Sequence, residues 1–176
     1  MRTGESEKAL IYKTATDDGV LDEGVRKSFR VQVEKPTKTM LREQFTALKP
    51  ALEEHFQAPL GECESPSFLS YGEGAYFKRH LDATRHPDIA ARRVSLVVFL
   101  NSCSKEPSAD TYGGGALSFF GLMKGPQWED CAFSIDAELG MLIGFSSDIV
   151  HEVQPVTFGQ RFTIVSWFRD AKDTKP

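Results

Sequence analysis

Four histidines, His55, His80, His86 and His151, are the imidazoles of this chain, and two of them open the same triplet, His80-Leu81-Asp82 and His86-Pro87-Asp88. In an extended chain residues i and i+2 project from one face, so an imidazole and a carboxylate so spaced converge on one point. A second imidazole arriving from another strand would complete a face of two histidines and one carboxylate. That set suits non-haem Fe(II) and leaves coordination positions open for O2. The triplet spacing is weak evidence by itself, and the two copies are not equivalent. His80 follows the strand-like run Ala-Tyr-Phe-Lys-Arg, whereas His86 lies among Thr84, Arg85 and Pro87, where proline spoils regular strand pairing. Pro87-Asp88 reads as a turn or a helix start.

His151 is the candidate for the third group. It comes after an apolar strand, Met141 to Phe145, and the turn-like Ser146-Ser147-Asp148, so it would open the next strand at a barrel mouth. The alternative is a surface histidine beside Glu152. Ten residues later Arg161 opens Arg-Phe-Thr-Ile-Val-Ser-Trp-Phe, in which Arg161, Thr163, Val165 and Trp167 share one face. A guanidinium on so apolar a strand is costly to bury unless paired. A dicarboxylate ligand would satisfy it through a bidentate contact; the alternative is a strand-end arginine that reaches solvent. His55, beside a helical apolar stripe, reads as a partly buried or capping residue.

The elements that must carry these groups are mostly short strands. Ser67 to Tyr71, Ala75 to Arg79, Val94 to Leu100, Ala116 to Phe120, Ala132 to Ile135, Met141 to Phe145 and Arg161 to Phe168 are separated by glycine-dense turns, notably Gly113-Gly114-Gly115. Such spacing predicts a sandwich or barrel. Phe29, Val31 and Val33 alternate with polar residues as a half-buried strand does. Between Thr37 and Phe56 the residues Leu41, Phe45, Leu48, Leu52 and Phe56 fall at steps of 4, 3, 4 and 4, one face of a helix that Pro50 kinks or splits. Residues 1–24 are polar and read as a loosely ordered lead-in, with one short strand at Ala9 to Tyr12.

The chain has 176 residues, 40% hydrophobic and 26% charged, which is the profile of one folded domain. Folding a chain this long removes roughly 70% of its exposed surface, so a metal here would serve chemistry, not architecture. With 21 basic and 25 acidic residues, a net charge of -4 and no basic block, the sequence disfavours nucleic acid as a partner. Three cysteines, Cys63, Cys103 and Cys131, show no C-x-x-C spacing and fit a reducing compartment. The first residues lack the basic and apolar regions of a secretory signal, and no run approaches 18 apolar residues. A cytoplasmic protein with no membrane association is expected.

Taken together, YGEGAYFKRHLD at 71–82, RRVSLVVFLN at 92–101, GGGALSFF at 113–120 and HEVQPVTFGQRFTIVSWF at 151–168 resemble the prolyl 4-hydroxylase-like branch of the Fe(II)/2-oxoglutarate-dependent dioxygenases. The likeness runs over roughly residues 28 to 170 and is nearest to hypoxia-sensor-type prolyl hydroxylases and their bacterial relatives. It implies a mainly β chain with a flanking helix, a double-stranded β-helix or jelly-roll whose outer face the helix of residues 37–56 buttresses. By position it makes His80, Asp82 and His151 the iron ligands, with no catalytic group beyond them. It sets Arg161 against the distal carboxylate of 2-oxoglutarate, with Tyr71 and Thr163 as further cosubstrate contacts.

The sequence departs from some relatives at Phe99, where a tyrosine hydroxyl would help hold that carboxylate. The implied activity couples decarboxylation of 2-oxoglutarate to oxidation of an unactivated C–H bond by O2, with ascorbate as the reductant. A prolyl residue in a protein or peptide is the favoured substrate, with a free amino acid or small metabolite as the alternative, and a non-catalytic jelly-roll that binds a ligand as the rival of another class. The loops Ala83 to Arg93, Ser102 to Gly113 and Met123 to Asp130 are expected to flank the mouth. They and β-strand ends offer Asp110, Tyr112, Trp128 and Trp167 as substrate contacts.

Overall fold

The computed structural model describes residues 4–172. The chain opens with three short strands, β1 (Ser6–Lys8), β2 (Arg26–Lys27) and β3 (Phe29–Val31), then two helices, α1 (Lys35–Ala47) and α2 (Lys49–Phe56). Four strands follow, β4 (Leu60–Cys63), β5 (Ser67–Tyr71), β6 (Tyr76–His80) and β7 (Arg92–Phe99). Next come β8 (Ser102–Cys103), β9 (Thr111–Gly114), β10 (Leu117–Phe119) and, after a 3-10 turn at Pro126–Trp128, β11 (Phe133–Ile135). The last four are β12 (Leu142–Ser146), β13 (His151–Val153), β14 (Val156–Gly159) and β15 (Arg161–Asp170).

These strands build a jelly-roll. The larger sheet runs β1-β3-β5-β15-β7-β12, with β4 also on β15; a second runs β11-β10-β13-β6-β2; and β14, β9 and β8 form a three-stranded patch. Strand β15 is the spine, pairing with β5 through Arg161–Val165 and with β7 through Thr163–Arg169. Its side chains alternate between two environments. Arg161, Thr163, Val165 and Trp167 face the cavity between the sheets, while Ile164 and Phe168 face outward into a core shared with Phe45, Leu60 and Leu96.

The helices cover that outer face. Leu41, Phe45, Leu52 and Phe56 pack there as their spacing predicts, but Leu48 is 37% exposed. Pro50 is the cause: it sits in the first turn of α2, where its missing N–H is harmless, and splits the stretch so that Leu48 falls in the joint. The helical segment also begins two residues earlier than the apolar stripe, at Lys35.

The lead-in differs from the expectation. The strand is at Ser6–Lys8, pairing with β3, and residues 9–12 make only a bridge, Ile11 to Val20. Within residues 4–24 Ala9 is buried, and the Asp17 carboxylate accepts from the Lys13, Thr14 and Gly19 amides to close a tight turn. Residues 1–3 of the predicted lead-in lie outside the described residues. His86 accounts for much of this order. It is buried, stacks on Tyr12 at 4.0 Å and reaches the Asp17 carbonyl through Nε2 at 2.8 Å. One turn starts at His86, whose carbonyl accepts from Ile89 and Ala90, as the Pro87-Asp88 reading anticipated.

Candidate active site

Strand pairing brings the histidines together. In the β13–β6 register His151 lies opposite His80, and in the β13–β10 register it lies opposite Phe119. Asp82 follows β6 at the point where the chain leaves the sheet, and the Ser147 carbonyl accepts from its amide at 3.1 Å. The ligand atoms of His80, Asp82 and His151 all lie within 4.8 Å of one another, a set that can hold a metal ion. One Asp82 oxygen is 3.8 Å from His80 Nε2 and the other 3.6 Å from His151 Nε2.

Both imidazoles are oriented from behind. His80 Nδ1 donates to the Lys78 carbonyl at 2.8 Å, and His151 Nδ1 to the Ile149 carbonyl at 2.9 Å. Each therefore turns an Nε2 lone pair toward the cluster, the second partner fixing the tautomer. Phe77 stacks on His80 with centroids 3.4 Å apart, and Phe145 meets His151 edge-on at 4.8 Å. Burial, aided by the neighbouring His151 imidazole, pushes the His80 pKa down to about 3, so its ring is neutral and its lone pair available to a metal at physiological pH. Burial disfavours ionised Asp82, but the neighbouring His151 and His80 imidazoles outweigh it and hold the carboxyl below its ordinary value.

Across the cavity sits Arg161, 1% exposed. Its Nη1 donates to the Thr163 hydroxyl at 3.5 Å, and the guanidinium carbon lies 5.1 Å from the Tyr71 ring and 5.0 Å from the Phe99 ring. Its Nε is buried with no hydrogen-bond partner, and among the described residues no carboxylate lies within ion-pair distance of it. A buried, permanently charged group left this way is expensive unless a ligand anion completes it. Gly115 makes room for it. At φ +61° a Cβ there would stand 2.9 Å from Val156 Cγ2 and 3.1 Å from Arg161 Cδ.

Residues 66–169 match the profile of the 2OG-Fe(II) oxygenase superfamily. The chain belongs to that superfamily. Over 109 residues this oxygenase is 29% identical to a PKHD-type hydroxylase of Alteromonas mediterranea, an alignment covering 59% of the chain and 42% of the relative's length. Among solved structures it is similar to a Pseudomonas putida prolyl-4-hydroxylase, with 25% identity, a TM-score of 0.64 and coverage of 84% and 74% of the two chains. A Trichoplax adhaerens prolyl hydroxylase in complex with a hypoxia inducible factor peptide shares the fold at a TM-score of 0.69, 19% identity, and coverage of 99% and 76%.

In this oxygenase His80, Asp82, His151, Tyr71, Arg161, Thr163 and Trp167 all line one cavity of about 780 Å³, inside the range of about 300–1,000 Å³ usual for small-molecule sites. The remaining expected contacts lie elsewhere. Tyr112 is 1% exposed and lies behind the guanidinium, where burial raises the pKa of its phenol against the pull of Arg161. The inward alternation of β9 puts it in the core, not in a loop. Asp110 is exposed and borders a separate groove with Asn101 and Leu139. Trp128 is 40% exposed on the 3-10 turn, neither lining the cavity nor covering the core edge. His55 is exposed in the last turn of α2, so neither partial burial nor a place in the site applies.

Of the three loops expected at the mouth, only Ala83 to Arg93 contributes, through Thr84, Ile89 and Arg92. More of the lining comes from residues the sequence reading passed over: Leu10 and Tyr12 from the lead-in, Arg26 from β2, Glu62 on β4 and Glu64 just after it. Arg26 had no legible partner in the sequence; its guanidinium lies 4.5 Å from the Phe77 ring. Glu64 meets Arg92 at 3.0 and 2.7 Å and Arg169 at 3.3 Å, an ion cluster joined from the segment after β4 and from strands β7 and β15, and so invisible to any local spacing.

Proposed function

We propose that this oxygenase hydroxylates a prolyl residue in a protein or peptide, using Fe(II) held by His80, Asp82 and His151 and 2-oxoglutarate held at its far carboxylate by Arg161. The observation that carries the reading is the Arg161 guanidinium, buried with an unsatisfied Nε on the wall of the cavity that contains the three converging ligand atoms. A dicarboxylate bound between the two would give the guanidinium its charge-assisted partner.

Bound together, iron and 2-oxoglutarate supply the oxidising power for C–H cleavage, driven by O2 and by decarboxylation to succinate. The chain's own residues do the placing. His80 Nε2, His151 Nε2 and the Asp82 carboxylate would hold the metal, a donor set that suits Fe(II). Thr163 fixes Arg161 by accepting from it, and the Tyr71 and Phe99 rings close over the guanidinium and exclude water, which strengthens the ion pair. Because Phe99 has no hydroxyl, carboxylate recognition falls to Arg161 and the Thr163 and Tyr71 hydroxyls. Ascorbate serves as the reductant that keeps the metal ferrous, the chain works as a single domain over residues 1–176, and its compartment is the cytoplasm.

The test has two stages. Succinate release under air with Fe(II) and 2-oxoglutarate should occur in the parent and vanish in Asp82→Ala; no release in the parent would reduce the protein to a binding module. A screen of proline-containing peptides, free amino acids and metabolites by mass spectrometry should then find a gain of one oxygen on a prolyl residue. Oxidation of only a free amino acid or a non-proline compound would overturn the substrate while leaving the chemistry.

A further inference from the structure

Two arginines line the cavity from opposite sheets, and no carboxylate among the described residues meets either of them. Strand pairing sets both. On the larger sheet Arg30 of β3 stands opposite Leu69 of β5, which stands opposite Thr163 of β15. The three share one row across the sheet, about 10 Å from end to end at the usual strand spacing. Val31, the next residue, turns outward into the core beneath the helices, and strand alternation therefore turns Arg30 inward. On the smaller sheet Arg26 of β2 stands opposite Phe77 of β6, and Phe77 is next to Val153 of β13 in the same row. All six residues line the cavity of the candidate site.

Arg26 is held firmly. Its Nε donates to the Ser28 hydroxyl at 2.8 Å and its Nη1 to the Leu10 carbonyl at 3.4 Å. Its guanidinium carbon lies 4.5 Å from the centre of the Phe77 ring, which stacks on His80 at 3.4 Å. One aromatic ring thus separates this charge from the candidate metal site, and none of its bonds reaches an anion. Arg30 is exposed and has no ion-pair partner among the described residues.

The other charges on the lining are already used. Arg42 meets Glu62 at 3.2 Å, and Arg92 meets Glu64 at 2.7 Å. Asp82 belongs with the two histidines, and Arg161 is the proposed partner of the cosubstrate. The lining carries five arginines against three carboxylates, in a chain whose net charge is -4. The excess positive charge resides at Arg26 and Arg30, and the walls of a cleft focus such a field on its opening.

We propose that the mouth selects an acidic peptide: the substrate carries an aspartate or glutamate within about three residues of the oxidised one, at about 3.3 Å per extended residue, and Arg26 and Arg30 receive it. The inference rests on the reading that the site oxidises a residue of a peptide, and it adds what that peptide must carry. Guanidinium and carboxylate pair through two parallel N–H bonds, and complementary charge at a rim sets partner choice more than total affinity.

Fluorescein-labelled peptides with one central proline, flanked on each side by two glutamates or by two glutamines, are titrated by anisotropy into the full chain carrying Mn(II) and 2-oxoglutarate. The parent should bind the glutamate peptide about 5–30-fold more tightly at low salt. The gap should close at about 1 M NaCl, where screening reaches within about 3 Å. The double variant Arg26→Gln, Arg30→Gln should bind both peptides as the parent binds the glutamine one. Arg30→Gln alone alters an exposed side chain, should lose about half of the preference on a logarithmic scale, and carries the test if the double variant does not fold.

Mass spectrometry of the same peptides with Fe(II) under air separates the two readings. Equal affinity for the two peptides, no saturable binding of either, or a full glutamate preference in the variants overturns this inference, and oxygen gained on proline in either peptide then leaves the proposed function standing. Arginine-dependent binding of the glutamate peptide, with succinate release but no oxygen gained on proline, overturns the prolyl assignment and leaves the selection for acid standing.

Discussion

Replacing Arg161 with methionine should leave the empty protein nearly as stable as the parent and remove most of its response to 2-oxoglutarate. The unsatisfied Nε costs the parent about 1–3 kcal/mol, while the contacts with the Tyr71 and Phe99 rings at 5.1 and 5.0 Å return about 0.5–2 kcal/mol each. The two sides nearly cancel. Methionine fills most of the same volume without a charge, so the metal-loaded but 2-oxoglutarate-free variant should melt within about 4 °C of the parent, at roughly 2–4 °C per kcal/mol for a chain of this size. A guanidinium serving as half of a buried structural ion pair would instead lose about 3–5 kcal/mol. With Mn(II) constant and 2-oxoglutarate at about 100 times its Kd, the parent should gain about 2.7 kcal/mol, a rise of roughly 5–11 °C at that conversion. Loss of a buried charge partner worth about 2–5 kcal/mol weakens binding roughly 30-fold to several thousand-fold, so the variant should gain at most about 0.9 kcal/mol, a rise of no more than roughly 4 °C. Differential scanning calorimetry over a 2-oxoglutarate series reads both quantities. A variant that melts more than about 10 °C below the parent without ligand, or that shifts with 2-oxoglutarate as the parent does, would refute the assignment of Arg161 to a ligand carboxylate.

Gly115→Ala should destabilise the fold by about 1–3 kcal/mol and raise the KM for 2-oxoglutarate, because φ is +61° and the new Cβ presses on Val156 and Arg161; denaturant unfolding and succinate release measure the two effects. His86→Ala should speed trypsin cleavage within residues 13–26, read by mass spectrometry of the fragments, since the Tyr12 stacking and the Asp17 carbonyl contact both vanish. Thiol alkylation at neutral pH should mark exposed Cys131 first and buried Cys63 last. Burial raises the Cys63 thiol pKa, so above pH 9 the unfolded chain loses that proton more readily than the folded one and stability falls as pH rises. Cys63→Ala should flatten that alkaline decline in melting temperature.

Much of the site was legible because strands carry a period of two. The Arg161, Thr163, Val165, Trp167 face follows from that period, while the His80-Leu81-Asp82 triplet, whose Asp82 lies just past the end of β6, gained its specificity from the family resemblance; the structure places all of these side chains on one cavity. Tyr112 was assigned to a loop at the mouth because the short strand β9 has no alternating apolar run to announce it; the structure buries it on that strand. The helix stripe was correct at four of five positions and failed at Leu48, where proline chemistry overrides periodicity. The strand in the lead-in was misplaced, at Ala9 to Tyr12 instead of Ser6–Lys8, because the contacts of this segment come from afar. Its apolar residues are too few to form a core of their own, and His86, some seventy residues downstream, fastens them. The Glu64–Arg92–Arg169 cluster joins strands separated along the chain, and long-range ion pairs leave no trace in local pattern.

The segment fastened by His86 lies wholly outside the stretch that defines the superfamily, which begins at residue 66, yet Leu10, Tyr12 and Arg26 form part of the rim. The rim is therefore shared between that stretch, through Thr84, Ile89 and Arg92, and residues that precede it. A version trimmed to residues 66–169 would keep every proposed iron ligand but forfeit the gatepost.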